Sequence, residues 1–227
     1  GGSSSDNGYS ITVDSNDNVY STGFFSDTVD FDSGTSTLEL SSNGEKDIFI
    51  QKLDSSGNFI WAKSFGSTSD DIGYSITVDS NNDIYITGRF YGTIDFDPGP
   101  NTFNLTSIYN REIFLLKLSS EGDFIWAKSF AEGSYSSGRS VTTDNVDNIY
   151  LTGWGSTNIY ITKLDSSGNQ LWSNSYFGTS SYNYGHSIYV DANNNLYVTG
   201  YYNGTIDFDL GTNVTNLTSN GSDDIFI

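Results

Sequence analysis

Cysteine and methionine are absent from this 227-residue chain, which also contains only two prolines and one histidine. The lack of cysteine excludes a disulfide framework, a thiolate nucleophile and a metal site with thiolate ligands. With His186 as the one imidazole, the chain offers no nucleophile–base–acid triad. His186 also stands at a position that Tyr9, Tyr74 and Arg139 occupy in the repeats described below, so we interpret it as structural and expect no catalytic residues.

Basic residues are scarce as well: nine Lys and Arg stand against 28 Asp and Glu, and the formal net charge is -19. Nucleic acid is therefore not an expected partner, because binding it requires clustered basic side chains that replace phosphate counterions. No apolar run approaches the ~18 residues of a transmembrane helix, so we expect no membrane insertion. Disorder is not expected either, since 35% hydrophobic and 15% aromatic residues supply enough apolar surface for a core.

Four internal repeats organise the chain. The segment Gly-Tyr-Ser-Ile-Thr-Val-Asp at residues 8–14 recurs at residues 73–79, and related segments begin at residues 138 and 185. We therefore divide a single domain, residues 1–227, into the repeats 8–72, 73–137, 138–184 and 185–227. The third repeat is shorter because it lacks a hairpin that we predict as an insertion in the other three, at residues 28–40, 93–105 and 205–217.

Each repeat shows the pattern of short strands joined by tight turns. β-branched and aromatic residues alternate with polar ones, clusters of Gly, Asn, Asp and Ser separate the runs, and no segment has helical periodicity. We therefore predict an all-β protein, a β-propeller with about four antiparallel four-stranded blades. An open β-solenoid is the competing architecture, but its coils are usually shorter and lack a regular order of four hairpin-linked strands.

Two motifs recur along the chain: Val-Asp-x-x-x-(Asn/Asp)-x-Tyr-x-Thr-Gly, and then Asp-Ile-Phe-Ile-x-Lys-Leu-Asp-x-x-Gly-Asn-x-x-Trp-Ala-Lys-Ser. This pattern resembles the SBBP β-propeller repeat family. The Asp-Phe-Asp-Pro-Gly element at residues 95–99 is similar to the form of the repeat found in large proteins that Bacteroidetes-type bacteria export by type IX secretion. The resemblance implies a propeller fold and a secreted or surface location, and it brings no shared catalytic residues.

The first and last repeats differ from the full pattern at their outer ends. Residues 1–8 align with residues 66–73, the loop that follows a Trp-bearing fourth strand, and residue 227 falls inside a third strand. We therefore expect these blades to be part of a larger propeller, with the missing strand supplied by flanking sequence. The alternative is that a neighbouring chain supplies this strand by β-augmentation.

Paired aspartates in the inserted hairpins form the candidate metal site. Residues two apart on a strand share a face, so the two carboxylates of each Asp-Phe-Asp segment point the same way, ~7 Å apart. Such carboxylates repel each other unless water, a base or a cation lies between them, and calcium prefers clustered carboxylates. Calcium is therefore a candidate cofactor, and capping of the hairpin turn is the alternative role. The candidate ligands are Asp30, Asp32, Asp95, Asp97, Asp207 and Asp209.

Aromatic residues near the Thr-Gly end of each second strand form the candidate ligand site. Trp154 directly follows Thr-Gly in the third repeat, and Phe25, Tyr91 and Tyr202 lie near the same point in the others. They are candidates for an aromatic rim that binds a ligand, because exposed aromatic residues are typical of recognition surfaces. Packing beneath the inserted hairpin is the alternative. The other three tryptophans recur at one position of the repeat, which is typical of the core between blades.

These observations favour a non-catalytic module for binding, adhesion or scaffolding, secreted or on the outer surface of a bacterium. The expected partner is a protein or a polysaccharide. Two alternatives stay open: a structural component of a multi-chain assembly at the cell surface, and the non-catalytic part of a larger carbohydrate-active enzyme. The third repeat breaks the symmetry with Gly153-Trp154-Gly155, so a specific contact is expected there.

Overall fold

A computed structural model describes residues 1–180, 183–209 and 211–227 of the chain. All regular elements in these ranges are β-strands, nineteen in number, and all the strand pairs within the sheets are antiparallel. The described ranges thus contain no helix that could cross a membrane. Residues 181–182 of the third predicted repeat and residue 210 of the last predicted hairpin lie outside the described residues.

Sheet 1 and sheet 2 have the same construction, a four-stranded sheet with a two-stranded hairpin inserted between its second and third strands. Sheet 1 has the order β1-β2-β5-β6, with β3 paired to β4, and sheet 2 has the order β7-β8-β11-β12, with β9 paired to β10. The bounds in sheet 1 are β1 Asn7–Val13, β2 Val19–Phe25, β3 Thr28–Asp30, β4 Glu39–Ser41, β5 Asp47–Leu53 and β6 Phe59–Phe65. Those in sheet 2 are β7 Ile72–Val78, β8 Ile84–Phe90, β9 Thr93–Asp95, β10 Asn104–Thr106, β11 Glu112–Leu118 and β12 Phe124–Phe130.

Sheet 3 and sheet 4 vary this plan. Sheet 3 has the order β13-β14-β15-β16 without an insertion, and the described part of sheet 4 has the order β17-β18-β19. In sheet 4 the hairpin is continuous with the sheet. Its residues belong to the two long strands β18 and β19, in which Thr205 pairs with Thr218 and Asp207 pairs with Asn216. The bounds are β13 Ser136–Thr143, β14 Ile149–Gly155, β15 Asn158–Leu164, β16 Gln170–Phe177, β17 Tyr184–Val190, β18 Leu196–Asp207 and β19 Asn216–Phe226.

The four sheets converge at their first strands. Strand β7 contacts both β1 and β13, and β13 in turn contacts β17, whereas the Trp-bearing fourth strands lie at the opposite edges of their sheets. Sheets that meet along their first strands and diverge towards their fourth strands have the radial arrangement of propeller blades. This arrangement confirms the predicted all-β, propeller-like fold.

The hydrophobic core consists of separate layers between neighbouring sheets. One layer packs Ile48 and Phe65 of sheet 1 against Ile84 and Phe96 of sheet 2. A second layer joins sheets 2 and 3, and a third joins sheets 3 and 4. A smaller cluster on the other side of sheet 1 contains Phe25, Phe31 and Phe49. Each sheet is therefore stabilised mainly by its neighbours, as expected for stacked repeats.

Each first strand contains a β-bulge, and hydrogen bonds beside the bulges connect neighbouring sheets. In β7 the register shifts between Gly73 and Ser75, and in β1 it shifts between Gly8 and Ser10. The backbone N–H of Ile76 donates to the Ser10 hydroxyl at 3.2 Å, and the same bond recurs between sheets 2 and 3 and between sheets 3 and 4. The serine of the repeated Gly-x-Ser motif thus bonds to the next first strand.

Candidate functional site

The four β-bulges present one side chain each at the same level of the converging first strands. The bulged residues are Tyr9 in β1, Tyr74 in β7, Arg139 in β13 and His186 in β17. A bulge re-aims the side chain of its extra residue and is over-represented beside functional sites. The rings of Tyr9 and Tyr74 lie 5.1 Å apart, so side chains from neighbouring sheets meet here.

The second strands add a further side chain beside each bulge, at the residue that follows Thr-Gly. In sheets 2, 3 and 4 these residues are Arg89, Trp154 and Tyr201. The ring of Trp154 lies 4.6 Å from that of Tyr184, and the ring of Tyr201 lies 5.2 Å from that of His186. We call this surface the arginine–aromatic face, and it comprises Tyr74, Arg89, Arg111, Arg139, Trp154, Tyr184, His186 and Tyr201.

All three arginines of the chain lie in this face, each against an aromatic ring. The guanidinium carbon of Arg139 is 4.1 Å from the centre of the Tyr74 ring, and that of Arg89 is 5.9 Å from the same ring. The guanidinium carbon of Arg111 is 4.7 Å from the centre of the Trp154 ring. Positions of this kind gain cation–π attraction.

None of these arginines has a carboxylate partner within the described ranges, where lysines make all four ion pairs. The Nε atoms of the three arginines and Nε1 of Trp154 are buried and lack a hydrogen-bond partner among the described residues. The face thus has four buried donors without an acceptor from the described residues, in a chain with 28 acidic residues.

A comparison with Lys46 shows why Arg111 has no ion-pair partner. Lys46, just before β5 of sheet 1, forms a backbone bridge to Asp70, just before β7 of sheet 2, and its ammonium group pairs with the Asp70 carboxylate at 2.8 Å. At the matching bridge between sheets 2 and 3, Arg111 is opposite Tyr135, and its guanidinium carbon lies 5.6 Å from the centre of that ring. Exchange of a lysine–aspartate pair for an arginine–tyrosine pair therefore replaces an ion pair by cation–π contacts.

The pKa values of His186 and Tyr201, both affected by Arg139, are shifted in the directions that favour their neutral forms. Burial lowers the pKa of His186, and the nearby Arg139 guanidinium lowers it further, so the imidazole is neutral. Burial chiefly raises the pKa of Tyr201, with smaller effects of Tyr184 and Asp223 in the same direction. The arginines thus supply the positive charge of the face, and the Asp223 carboxylate lies close enough to act on Tyr201.

The predicted aromatic rim is not a single surface. Trp154 lies in the arginine–aromatic face, but Phe25 and Tyr202 are buried, with 1% and 4% of their surface exposed. The Phe25 ring packs against Phe31 in sheet 1, and Tyr202 packs against the phenylalanine of the hairpin in sheet 4. Tyr91 is half-buried in sheet 2 and donates its backbone N–H to Asp71.

The reason is the alternation of side chains along a strand. The residue directly after Thr-Gly points towards the arginine–aromatic face, and the next residue points to the opposite side of the sheet. Phe25 and Tyr202 occupy that second position, so they contribute to packing beneath the inserted hairpins.

The paired aspartates of the hairpins accept backbone hydrogen bonds. Asp95 Oδ1 accepts the N–H groups of Asp97 and Phe103 at 3.0 and 2.7 Å, and Asp97 Oδ1 accepts that of Gly99 at 2.8 Å. The same bonds form around Asp30 and Asp32 and around Asp207 and Asp209. The described residues include no group of three or more potential side-chain metal ligands. Calcium at these pairs stays a prediction.

The aspartates that end the first strands serve a similar structural role. Asp14 Oδ1 accepts the N–H groups of Asn16 and Asn18, and Asp17 in this turn has a positive φ of 63°. The Tyr20 hydroxyl donates a hydrogen bond to Asp14 Oδ2 at 2.9 Å. These are Asx turns that connect two strands.

Sequence reasoning missed the three arginines because it took each repeat position separately. The available signal is a change of residue type at repeated positions: Arg89 replaces Phe24, Arg139 replaces Tyr9, and Arg111 replaces Lys46. In a strongly acidic chain, three arginines within adjacent repeats are a departure that points to a specific site.

The repeats are similar to a known family of β-propeller repeats. The SBBP family model, described as a beta-propeller repeat, matches residues 1–23 and 60–89. These segments contain β1 and β7 in full and most of β2, β6 and β8. The match supports the family that the repeated motifs resemble.

One similar protein is the "Uncharacterized WD repeat-containing protein L264" of Acanthamoeba polyphaga mimivirus, which is 30% identical over 175 residues. The match covers 65% of this chain and 12% of that protein. Among solved structures, a protein of unknown function from Bacteroides caccae aligns with a TM-score of 0.31 and 9% identity, over 75% of this chain and 69% of the other.

Proposed function

We propose that this chain is a non-catalytic β-propeller module that binds a ligand at the arginine–aromatic face. The observation that carries the proposal is the meeting of all three arginines on aromatic rings without a carboxylate partner among the described residues. A buried donor without an acceptor costs about 1–3 kcal/mol, so an arrangement with four such donors is expected to be retained for a reason other than stability.

The proposed setting is the exterior of a bacterium, as a secreted or surface-attached module in adhesion or scaffolding. The Asp-Phe-Asp form of the repeat supports this, since it resembles that of exported bacterial proteins. The surroundings of His186 support a non-catalytic role, because its ring neighbours are Tyr184 and Tyr201 and its pKa is lowered.

The test is retention of ligands by the whole chain and by a variant of the face. We expect the immobilised chain to retain components from a panel of bacterial and host glycans and surface proteins, and Arg139→Gln to lose them. Lys128→Gln on β12 is the matched control, because it removes one positive charge from a fourth strand. If the chain retains nothing from the panel, or if both variants lose binding equally, the proposed site is wrong.

A role in a multi-chain assembly is the second candidate, and a feature of sheet 4 favours it. Within the described residues β19 pairs with β18 alone, and Ile225 near its end has 78% of its surface exposed. An edge strand with an exposed apolar residue can pair with a strand of the flanking sequence or with a strand of another chain. Light scattering at increasing protein concentration distinguishes the two, since a monomer at every concentration argues against assembly.

A further inference from the structure

We infer that the arginine–aromatic face binds a carboxylate-bearing sugar, namely a uronic acid unit of an acidic polysaccharide. This inference rests on the proposed binding function and adds the chemistry of the ligand. The face provides positive charge, unpaired donors and aromatic rings, and a uronate unit presents a complementary group for each.

The arginines define the anionic part of the ligand. A guanidinium group carries five N–H donors and matches the geometry of a carboxylate with two parallel hydrogen bonds. Arg139 and Arg111 form no ion pair with a carboxylate from the described part of the chain. A carboxylate from outside would supply the acceptor that these donors lack.

The aromatic rings define the apolar part of the ligand. Tyr9 and Tyr135 at the edges of the face have 48% and 49% of their surface exposed, and His186 is also exposed. The C–H groups on one face of a pyranose ring form an apolar surface that stacks on an aromatic ring, and the carboxylate of a uronate projects from the edge of the same sugar. Rings and guanidinium groups that alternate across neighbouring sheets fit successive units of such a polymer.

The shape of the face favours a polysaccharide over an acidic peptide. Five cavities of about 190 to 520 Å³ among the described residues are lined by other residues, and none of the five contains Arg89, Arg111 or Arg139. A peptide usually anchors side chains in pockets or adds a strand to a sheet edge. An open platform of rings requires neither, and it suits a chain of flat sugar units.

The net charge restricts the charge density of the ligand. With a formal charge of -19, the chain repels polyanions over long distances at low ionic strength. A polymer with one carboxylate per sugar carries less charge per length than duplex nucleic acid, where one charge occurs about every 1.7 Å. Binding by a few arginines at short range then outweighs the general repulsion, most clearly at physiological salt.

The experiment uses isothermal titration calorimetry of the whole chain with a galacturonic acid hexamer at 0.15 M salt. We expect binding of the hexamer, and no binding of its methyl-esterified form, which keeps the sugar rings and loses the charge. Arg139→Gln and Arg111→Gln should each weaken binding at least about tenfold, since hydrogen bonds between charged groups are among the stronger ones in proteins. Lys128→Gln should bind as the wild type does.

Two further measurements keep the outcome decisive. Arg139→Lys retains the charge but not the two-pronged donor geometry, so it should bind more weakly than the wild type and more tightly than Arg139→Gln. Equal unfolding midpoints for wild type and variants show that the loss is not caused by misfolding. If a variant does not fold, its partner at the other arginine carries the test.

The alternatives give different results. Equal binding of the hexamer and its methyl ester, or arginine-dependent binding of a glutamate hexapeptide alone, would overturn the uronate inference and leave the proposed binding function standing. Loss of binding in Lys128→Gln to the same extent would mean general electrostatic attraction, and would also overturn it. If the wild type binds neither the hexamer nor the peptide and retains nothing from the panel of glycans and surface proteins, the proposed function fails together with the inference.

Discussion

Gly73 of β7 and Thr22 of β2 approach so closely that a Cβ atom at residue 73 would overlap the threonine hydroxyl. Thr22 is fully buried, and its hydroxyl donates to the backbone carbonyl of Phe49 at 2.8 Å. The hydroxyl cannot turn away without leaving that carbonyl without its bond. The same approach joins Gly138 to Thr87 and Gly185 to Thr152, so the glycine of each later first strand fits against the threonine of the preceding Thr-Gly.

Gly73→Ala should therefore destabilise the protein through steric overlap between sheets 1 and 2. Overpacking of a well-packed site costs about 1–3 kcal/mol, and we expect a loss in this range in urea unfolding. Gly8→Ala is the matched control, because Gly8 has the same place in its repeat but no neighbouring atom within 4 Å of an added Cβ. Equal effects of the two substitutions would show that the inter-sheet contact is not the cause.

The phenylalanines of the first two inserted hairpins, Phe31 and Phe96, differ in their contacts with a neighbouring sheet. Phe96 lies 5.2 Å from Phe114 and 5.8 Å from Phe90 in its own sheet, and it stacks at 6.0 Å on Phe65 of sheet 1. Phe31 makes the same two contacts in sheet 1, with Phe49 and Phe25, but borders a cavity of about 330 Å³ in place of a stacked ring.

We expect Phe96→Ala to lower the free energy of unfolding by about 3–5 kcal/mol. Phe31→Ala should cost less, by about 1 kcal/mol or more, because it removes no ring–ring contact with another sheet. Urea unfolding of both variants measures the difference. A loss at residue 31 as large as that at residue 96 would mean that the Phe65 ring contributes nothing.

The repeated strands could be predicted because their signal is local. Alternating residues separated by clusters of Gly, Asn, Asp and Ser indicate hairpins without knowledge of the rest of the chain. The first Asp-Ile-Phe-Ile-x-Lys-Leu motif, for example, forms β5, Asp47–Leu53. The radial arrangement also follows from local pattern, since tandem four-stranded units must cover their sheet faces.

The arginine–aromatic face could not be predicted in the same way. Arg111 and Trp154 are 43 residues apart and belong to different sheets, so their contact depends on how those sheets pack. The bulge at Arg139 adds a residue to the strand and breaks the alternation that sequence reasoning relies on. The placement of Phe25 on the core side, by contrast, followed from alternation beyond Gly23 and was available from sequence.

Removal of divalent cations tests the predicted calcium sites. Because Oδ1 of Asp95 and of Asp97 already accept backbone N–H groups, the hairpin is stabilised without a metal. We expect the melting temperature to be the same in EDTA and in millimolar calcium chloride. A rise with calcium that Asp95→Asn abolishes would instead establish a calcium site, since a ligand that binds the native state alone stabilises it.

Two buried carboxylates between sheets 1 and 2 give the protein a pH-dependent stability. Asp47 and Asp71 have no exposed surface, and burial raises the pKa of each to about 6. The negative charge of Asp47 also raises the pKa of Asp71. Asp47 Oδ2 accepts the N–H of Asn43 at 2.9 Å, but its Oδ1 is buried without a partner among the described residues.

The sign of the effect follows from the protons bound in each state. Between the ordinary pKa of 3.8 and a folded pKa of about 6, the folded protein holds more protons than the unfolded chain. The free energy of unfolding should therefore increase as the pH falls from 7 towards 5, and decrease as the pH rises through 6. Aspartates with lowered pKa values, such as Asp14 and Asp144, lose their stabilising effect only at lower pH.

Asp47→Asn should remove much of this dependence, because the amide carries no charge and its oxygen can still accept the Asn43 N–H. Asn158 occupies the matching position in sheet 3, so the fold accommodates an amide there. We expect the variant to be more stable than the wild type at pH 7 by about 2 kcal/mol, with the difference shrinking towards pH 5. Urea unfolding at pH 5, 6, 7 and 8 measures it. Asp54→Asn, at an exposed turn, is the control and should keep the wild-type slope; parallel profiles for Asp47→Asn and the wild type would show that the buried pair does not titrate as described.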